Sequence, residues 1–476
     1  MILFFSLFSS FVLGTVLTLL DFFPVRSLSA ENIITYFIYQ QGNILQFKAE
    51  QQIFLYGVLT SLIIFAVTYF LIPLLFRPAD RRFSKKAITF VLFLCALVKT
   101  ETTTHLFATI KASMTVGHIY EDAYKEIQYT PPRTPKKKNL IVIYLESFEN
   151  TYQSEKLFGK NLIPRLSTDY ARFSNYSEMR GMNNTQSAII SSFCGLPYLP
   201  GMGIAYRHDI SFLFNKNTCL TDILKAEGYK TFFYTSDEKR FANKNLFLEA
   251  HHVEKIEDSK SMVGSSDDVS FVFPDSENEK GFVFFNGIRD SLMFSKALKE
   301  IEKTGKGDAP FAFFLLTLNT HEEDGFLEPE CAAQSEQPSD KKFKEVVSCT
   351  DKQVHDFISE LKKQPFYKDT LIVVVGDHLS RKNTVHAVLE REKNRTVYNS
   401  FTNLDLSDLN LNRTFTALDL GPTVLEGLGF ELKDGAMGLG RSLLRPAPTL
   451  IEEYGKEKLE GELIKKSEKY NDFLKK

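Results

Sequence analysis

NLIVIYLES, residues 139–147, is a continuous apolar run that ends on a carboxylate and a hydroxyl. A strand with one face in water alternates apolar and polar residues; this run does not, so it reads as a strand buried on both faces. Three further runs have the same character: TFFYTS (231–236), FAFFLLTLN (311–319) and DTLIVVVGD (369–377). Helix-like stretches alternate with them. TDILKAEGYK (221–230) opens on Thr221 as a capping residue and is stopped by Gly228, as a crossover helix should be. The expected fold class is therefore α/β, a mainly parallel sheet sandwiched by helices.

In an open parallel sheet, ligands collect beyond the carboxyl ends of the strands, so the residues just after each run carry the functional information. Here those residues are Glu146, His321 and the pair Asp377 and His378. Carboxylates and imidazoles converging on one sheet edge suit a divalent metal of mixed oxygen and nitrogen coordination. Singly, each has a commoner role, the glutamate as a helix cap and the Asp-His pair as a turn. Three strand ends with one chemistry favour a site.

The rest of the chain sets the surroundings. Residues 1–20 and the 24 residues 53–76 carry no charged side chain, and each is long enough to cross a hydrocarbon core of roughly 30 Å. A third apolar run, AITFVLFLCALV from Ala87, meets Lys99 and Glu101 and completes a span as a tilted helix with a snorkelling lysine. Between the second and third runs lie Arg77, Arg81, Arg82, Lys85 and Lys86, which marks that loop as cytoplasmic and the region after about residue 110 as external. The competing reading of the first run, a cleaved signal peptide ending near SLSA (27–30), lacks a basic leading region. The expected organisation is a membrane domain over 1–110, a linker over 111–137 containing TPPRTPKKK, a catalytic domain over 138–445, and a helical, solvated tail over 446–476. The acidic, serine-rich stretch 258–279 reads as a surface excursion. A net charge of -2 over 476 residues gives no support to nucleic-acid binding, which normally leaves a concentrated basic face. Cys95 lies in the third apolar run, leaving Cys194, Cys219, Cys331 and Cys349 outside. Of three possible pairings the near neighbours are favoured, Cys194 with Cys219 and Cys331 with Cys349, in an oxidising compartment.

Taken together, several motifs resemble one superfamily. YLESFENTY (144–152), NNTQSAIISSFCGLP (183–197), NTCLTDILKAEGY (217–229), RFANKNLF (240–247), TLNTHEEDGF (317–326), VSC (347–349), FYKDTLIVVVGDHLS (366–380) and GLGRS (438–442) resemble the alkaline phosphatase and sulfatase superfamily. Within it they look most like the branch of lipoteichoic acid synthases and periplasmic glucan phosphoglycerol transferases. The resemblance implies an alkaline phosphatase-like fold, one divalent ion (manganese, zinc or magnesium) on Glu146, Thr185, Asp377 and His378, and Thr185 as nucleophile of a phosphothreonine intermediate. Metal coordination is the means of activating a threonine hydroxyl when no base adjoins it. His321 falls where the family has a substrate-side histidine that handles the proton of the leaving oxygen. Lys244 matches a phosphate-contacting position, and Asn184 adjoins the nucleophile as a substrate contact or a turn former.

The resemblance further implies transfer of a phospholipid head group, glycerol phosphate by preference, from phosphatidylglycerol or phosphatidylethanolamine to an envelope glycan, at a bacterial inner membrane with the catalytic domain in the periplasm. Two departures qualify this. The pattern Cys or Ser followed by x-Pro-x-Arg, which a sulfatase needs for its formylglycine, is missing. The glucan enzymes also continue well beyond the GLGRS position, which leaves phosphoethanolamine transfer to lipopolysaccharide core, or a membrane-anchored phosphoesterase, as alternatives.

Overall fold

The computed structural model describes residues 115–134, 136–199, 213–263, 270–272, 286–321, 325–332, 342–381 and 383–475. The expected membrane spans lie outside them; among the described residues no helix is long and apolar enough to cross a membrane.

All four apolar runs are strands of one six-stranded sheet. They are β1 (Asn139–Leu145), β2 (Lys230–Thr235), β4 (Phe311–Leu316) and β5 (Thr370–Gly376), joined by the short β3 (Lys255–Glu257) and by β6 (Asn399–Thr402). The order is β6-β5-β1-β4-β2-β3. Every pairing is parallel except β6 on β5. The sequence carries no strand signal at β6, because NSFT is short and polar at both ends. Its backbone is claimed by the otherwise open edge of β5, with Asn399 opposite Val375.

Both faces of β1 are covered, as its unbroken apolar run requires. Ile141, Ile143 and Leu145 share a buried cluster with Phe313 and Val374, and with Met293 and Ala297 of helix α4 (Asp290–Thr304) and Val354 and Ile358 of helix α5 (Lys342–Leu361). On the opposite face the Tyr144 hydroxyl meets Ser192 Oγ at 2.7 Å and the Phe314 ring lies 4.8 Å from Phe193, both partners belonging to helix α1 (Thr185–Cys194). Register then fixes the functional edge. Leu145 lies opposite Gly376 and Tyr144 opposite Leu316, so the residues that follow β1, β4 and β5 emerge side by side.

Four expectations need correction. Helix α2 (Leu220–Ala226) is capped by Cys219, not Thr221; the Asp222 carboxylate accepts the Cys219 N–H at 2.8 Å, and Gly228 ends the turn at φ +81° as expected. Residues from His118 to the start of β1, expected as a linker, are packed: Tyr120 is 1% exposed, and Tyr129 and Thr130 pair with Leu432 and Glu431. The tail is helical but not solvated. Within it Leu459, Leu463 and Tyr470 are buried, and the Tyr470 hydroxyl donates to Pro197 O at 2.7 Å, because its short helices are amphipathic and bury one side. The excursion at 258–279 likewise begins as structure, with Asp258, Ser259 and Met262 buried.

Residues 115–117 and 464–467 are the described part of a second compact unit, and within it Val116 bridges Lys466 in parallel. Both expected disulfides are present, Cys194–Cys219 and Cys331–Cys349.

Candidate active site

Thr185 is the first residue of α1, and Asn184 before it is the cap, its side chain accepting the Ser187 N–H at 2.9 Å. The first N–H groups of a helix have no partner within it, so the end of α1 at Thr185 is suited to an anion. The Thr185 hydroxyl donates to Glu146 Oε2 at 3.1 Å. β1 delivers Glu146 to this point, and Ser147 turns the chain sharply with φ +52°.

Asp377 follows β5. Its Oδ1 accepts two backbone N–H groups, from Ser147 at 2.8 Å and His378 at 2.7 Å, while its Oδ2 is buried with no hydrogen-bond partner. His378 places Nδ1 2.9 Å from Leu379 O, which fixes the tautomer that leaves Nε2 available. That Nε2 lies 3.4 Å from Glu146 Oε1 and 3.6 Å from Asp377 Oδ2. One ligand atom from each of the three fits within 4.8 Å of the others. The residues present therefore fit a divalent cation: an orphaned carboxylate oxygen, a second carboxylate and an imidazole nitrogen face one point.

The electrostatics agree. Burial and the neighbouring Glu146 charge push the Asp377 carboxyl up to about 7. Burial would raise Glu146 as well, but the His378 and His321 rings and the Ser147 hydroxyl hold it well below the usual carboxylate range. His378 moves against its own burial, up to about 10, under the charges of Asp377 and Glu146. Two buried carboxylates draw positive charge to this spot, and a proton on His378 supplies it where a metal would.

A cleft opens over this cluster, lined by Glu146, Thr185, His378, Asn184, His321 and Lys244. The structure thus brings together every residue singled out for metal, nucleophile, proton transfer or substrate. Asp237 and Arg381 also line it and were missed. Asp237 had a signal, since it follows the apolar run of β2 as Glu146 follows β1. Lys244, buried at the start of helix α3 (Lys244–Ala250), is ion-paired with Asp237 and lies 5.3 Å over the Phe241 ring. A second cluster of sulfur and imidazole, Cys194, Cys219 and His251, is closed to a metal by the disulfide.

The sulfatase family model matches residues 138–406. The chain belongs to the sulfatase family. This span holds the sheet and every cleft residue named above. Among curated relatives of this sulfatase-family chain, phosphoglycerol transferase I of Escherichia coli O127:H6 is 33% identical over 330 residues, 67% of this chain and 40% of the relative. The chain thus spans about 40% of the length of the curated relatives it matches. Among solved structures, an alkaline phosphatase superfamily protein from Vibrio parahaemolyticus superposes with a TM-score of 0.53 at 22% identity, covering 74% of this chain and 80% of its own. The lipoteichoic acid synthase LtaP from Listeria monocytogenes gives 0.52 at 21%, covering 69% and 80%. Both likenesses bear on the fold, which is alkaline phosphatase-like with a mostly parallel central sheet.

Proposed function

We propose that this chain is a membrane-anchored, metal-dependent phosphotransferase that moves a phospholipid head group, glycerol phosphate by preference, through Thr185 to a sugar hydroxyl of the cell envelope. The observation that carries the reading is the Thr185 hydroxyl, set at the amino terminus of α1 and hydrogen-bonded at 3.1 Å to Glu146, one of three converging metal-type ligands. The phosphoglycerol transferase relatives support the choice of head group. Disulfides suit a catalytic domain outside the cytoplasm, here the periplasm. The apolar runs before residue 110 keep the enzyme beside a donor that never leaves the bilayer.

Glu146, Asp377, His378 and Thr185 would hold a manganese, zinc or magnesium ion, which supplies acidity to the threonine hydroxyl and offsets phosphoryl charge. In the first half-reaction Thr185 Oγ1 forms a bond to phosphorus and gives up its proton to solvent. The bond from phosphorus to the diacylglycerol oxygen breaks, and His321 protonates that oxygen. The amino terminus of α1 and Lys244 bind the phosphoryl oxygens. In the second half a sugar hydroxyl loses its proton to His321 and takes the head-group phosphate, and Thr185 leaves with a proton restored.

Incubation of the purified chain with phosphatidylglycerol labelled in its head group, without acceptor, is expected to leave label on the peptide containing Thr185 and to release diacylglycerol. Phosphatidylethanolamine run in parallel tests the head-group preference. Thr185→Ala is expected to lose several orders of magnitude in turnover with little loss of stability, since the site lies at the sheet edge. Label on another residue, or substantial transfer by Thr185→Ala, would refute the covalent mechanism.

A further inference from the structure

The segment that leads into His321 is held by carboxylates that line no part of the cleft. Asp290, the first residue of α4, is 0% exposed and accepts three hydrogen bonds: from Ser236 Oγ at 2.6 Å, Leu318 N at 2.8 Å and Asn319 N at 2.9 Å. Glu328 is also 0% exposed. Its Oε1 accepts Asn319 Nδ2 at 2.6 Å and Ser291 N at 3.0 Å, and its Oε2 is buried with no hydrogen-bond partner. No lysine or arginine hydrogen-bonds either carboxylate among the described residues. Asn319 also accepts Phe326 N at 2.7 Å, so one residue ties the chain before His321 to the chain after it. The brace is anchored again at its far end, where Glu328 O accepts Cys331 N and Cys331 is bonded to Cys349 of α5. On the cleft side Thr320 Oγ1 donates to Glu146 O, and Thr317 Oγ1 accepts Glu146 N at 3.0 Å.

We infer that Asp290, Asn319 and Glu328 are positioning residues for His321, a buried carboxylate-amide brace that fixes the imidazole relative to Thr185 for proton transfer to the leaving oxygen. Two buried carboxylates without a cation are costly, and an apolar filling would stabilise the fold more cheaply. Burial, with the Glu328 charge adding to it, pushes Asp290 up to about 7, a cost a purely structural helix start would avoid. The return is geometric. Apart from the Ser236 hydroxyl on Asp290, the hydrogen bonds to the two carboxylates come from the backbone or amide of residues 318, 319 and 291, and the His321 N–H is bonded to Leu318 O at 2.9 Å. The ordinary reading, that Asp290 and Glu328 only cap α4, leaves His321 free of them.

The inference rests on the proposed role of His321 as proton donor, and leaving-group dependence separates the two. A diacylglycerol oxygen needs a proton to leave, whereas a nitrophenolate does not. kcat and KM of the first half-reaction alone are measured in single turnover, without acceptor, as release of diacylglycerol or nitrophenol by the metal-loaded full chain from phosphatidylglycerol and from the p-nitrophenyl ester of glycerol phosphate. His321→Ala is expected to slow the lipid far more than the nitrophenyl ester. Glu328→Ala is expected to show the same selectivity, with lipid kcat down by about 10-fold or more and KM and metal affinity unchanged. Glu328→Gln, which keeps the accepting oxygen, restores kcat, and the double variant with His321→Ala is no slower than His321→Ala alone. Equal slowing of both donors by Glu328→Ala, no slowing of either, or an additive double variant overturns the brace. Equal slowing by His321→Ala overturns the proton-donor role and the brace with it. Should Glu328→Ala fail to fold, Asn319→Ala, which removes the amide contact and keeps both carboxylates, is read by the same comparison.

Discussion

Ser147 sits in the left-handed region at φ +52°, one residue after Glu146, where an L side chain costs about 1–2 kcal/mol. It persists because its N–H is taken by Asp377 and its hydroxyl donates to Glu146 Oε1 at 2.7 Å. The turn it makes also brings Phe148 O over β5, and a Cβ at Gly376 would lie 2.0 Å from that oxygen, so only glycine fits. Strain and close approach thus locate the two carboxylates. Asp377 divides its labour, Oδ1 holding the backbone of both loops and Oδ2 left for a ligand. Asp377→Asn is therefore expected to keep the fold, since an amide oxygen still accepts from Ser147 and His378, yet to lower metal affinity by an order of magnitude or more, as titration calorimetry would read. Unchanged affinity would remove Asp377 from the ligand set.

At the scale of elements, helix α1, which carries Thr185, is tied at both ends. Its amino terminus is fixed by the Asn184 cap, and its carboxyl terminus by Cys194–Cys219 and by Gly195, where an added Cβ would lie 2.1 Å from Met437 O. A loop of the 25-residue separation closed by this disulfide is stabilised by about 3 kcal/mol. Replacing Cys194 and Cys219 together with Ala is expected to lower the melting temperature while leaving metal affinity nearly intact, because Thr185 and Glu146 meet at the opposite end of α1. The elements read from sequence were those with a local signal: β1, β2, β4 and β5 are apolar throughout, and α2 ends on a glycine. β6 carried none, because a polar edge strand is defined by the partner it finds. Thr221 was misread as a cap for a related reason. The cap position went to Cys219, where the disulfide holds the chain and Asp222 answers its N–H.

Across the whole molecule, buried acids set the response to pH. Asp290 is pushed up to about 7 and Asp419 to about 6, each chiefly by burial. A carboxyl whose folded value lies above its unfolded one binds more protons when folded, so each group makes stability fall as pH rises from about 4 through its folded value. Asp419 lies away from the cleft, accepting Arg441 N at 2.8 Å and Thr416 N at 2.9 Å. Denaturant titrations at pH 4.5 and 7.5 are expected to show Asp419→Asn with a smaller fall in stability across that interval than the parent chain. An unchanged fall would show that Asp419 is ionised throughout.

Apolar runs and the residues that follow them are local properties, so the interior strands of the sheet and the strand-end positions of Glu146, His321, Asp377 and His378 are legible along the chain, and cysteine spacing adds the near-neighbour disulfides. The motif resemblance, not periodicity, singled out Thr185 and Lys244. Tertiary packing set the sheet order, the pairing of β6 with β5, the ion pair of Lys244 with Asp237, the packing of the tail through Tyr470, and the hydrogen bonds of Asp290 and Glu328 to residues 318 and 319. Each of these joins residues whose partners are chosen by burial and register across the fold, and a single position in the chain carries no record of what it will be buried against.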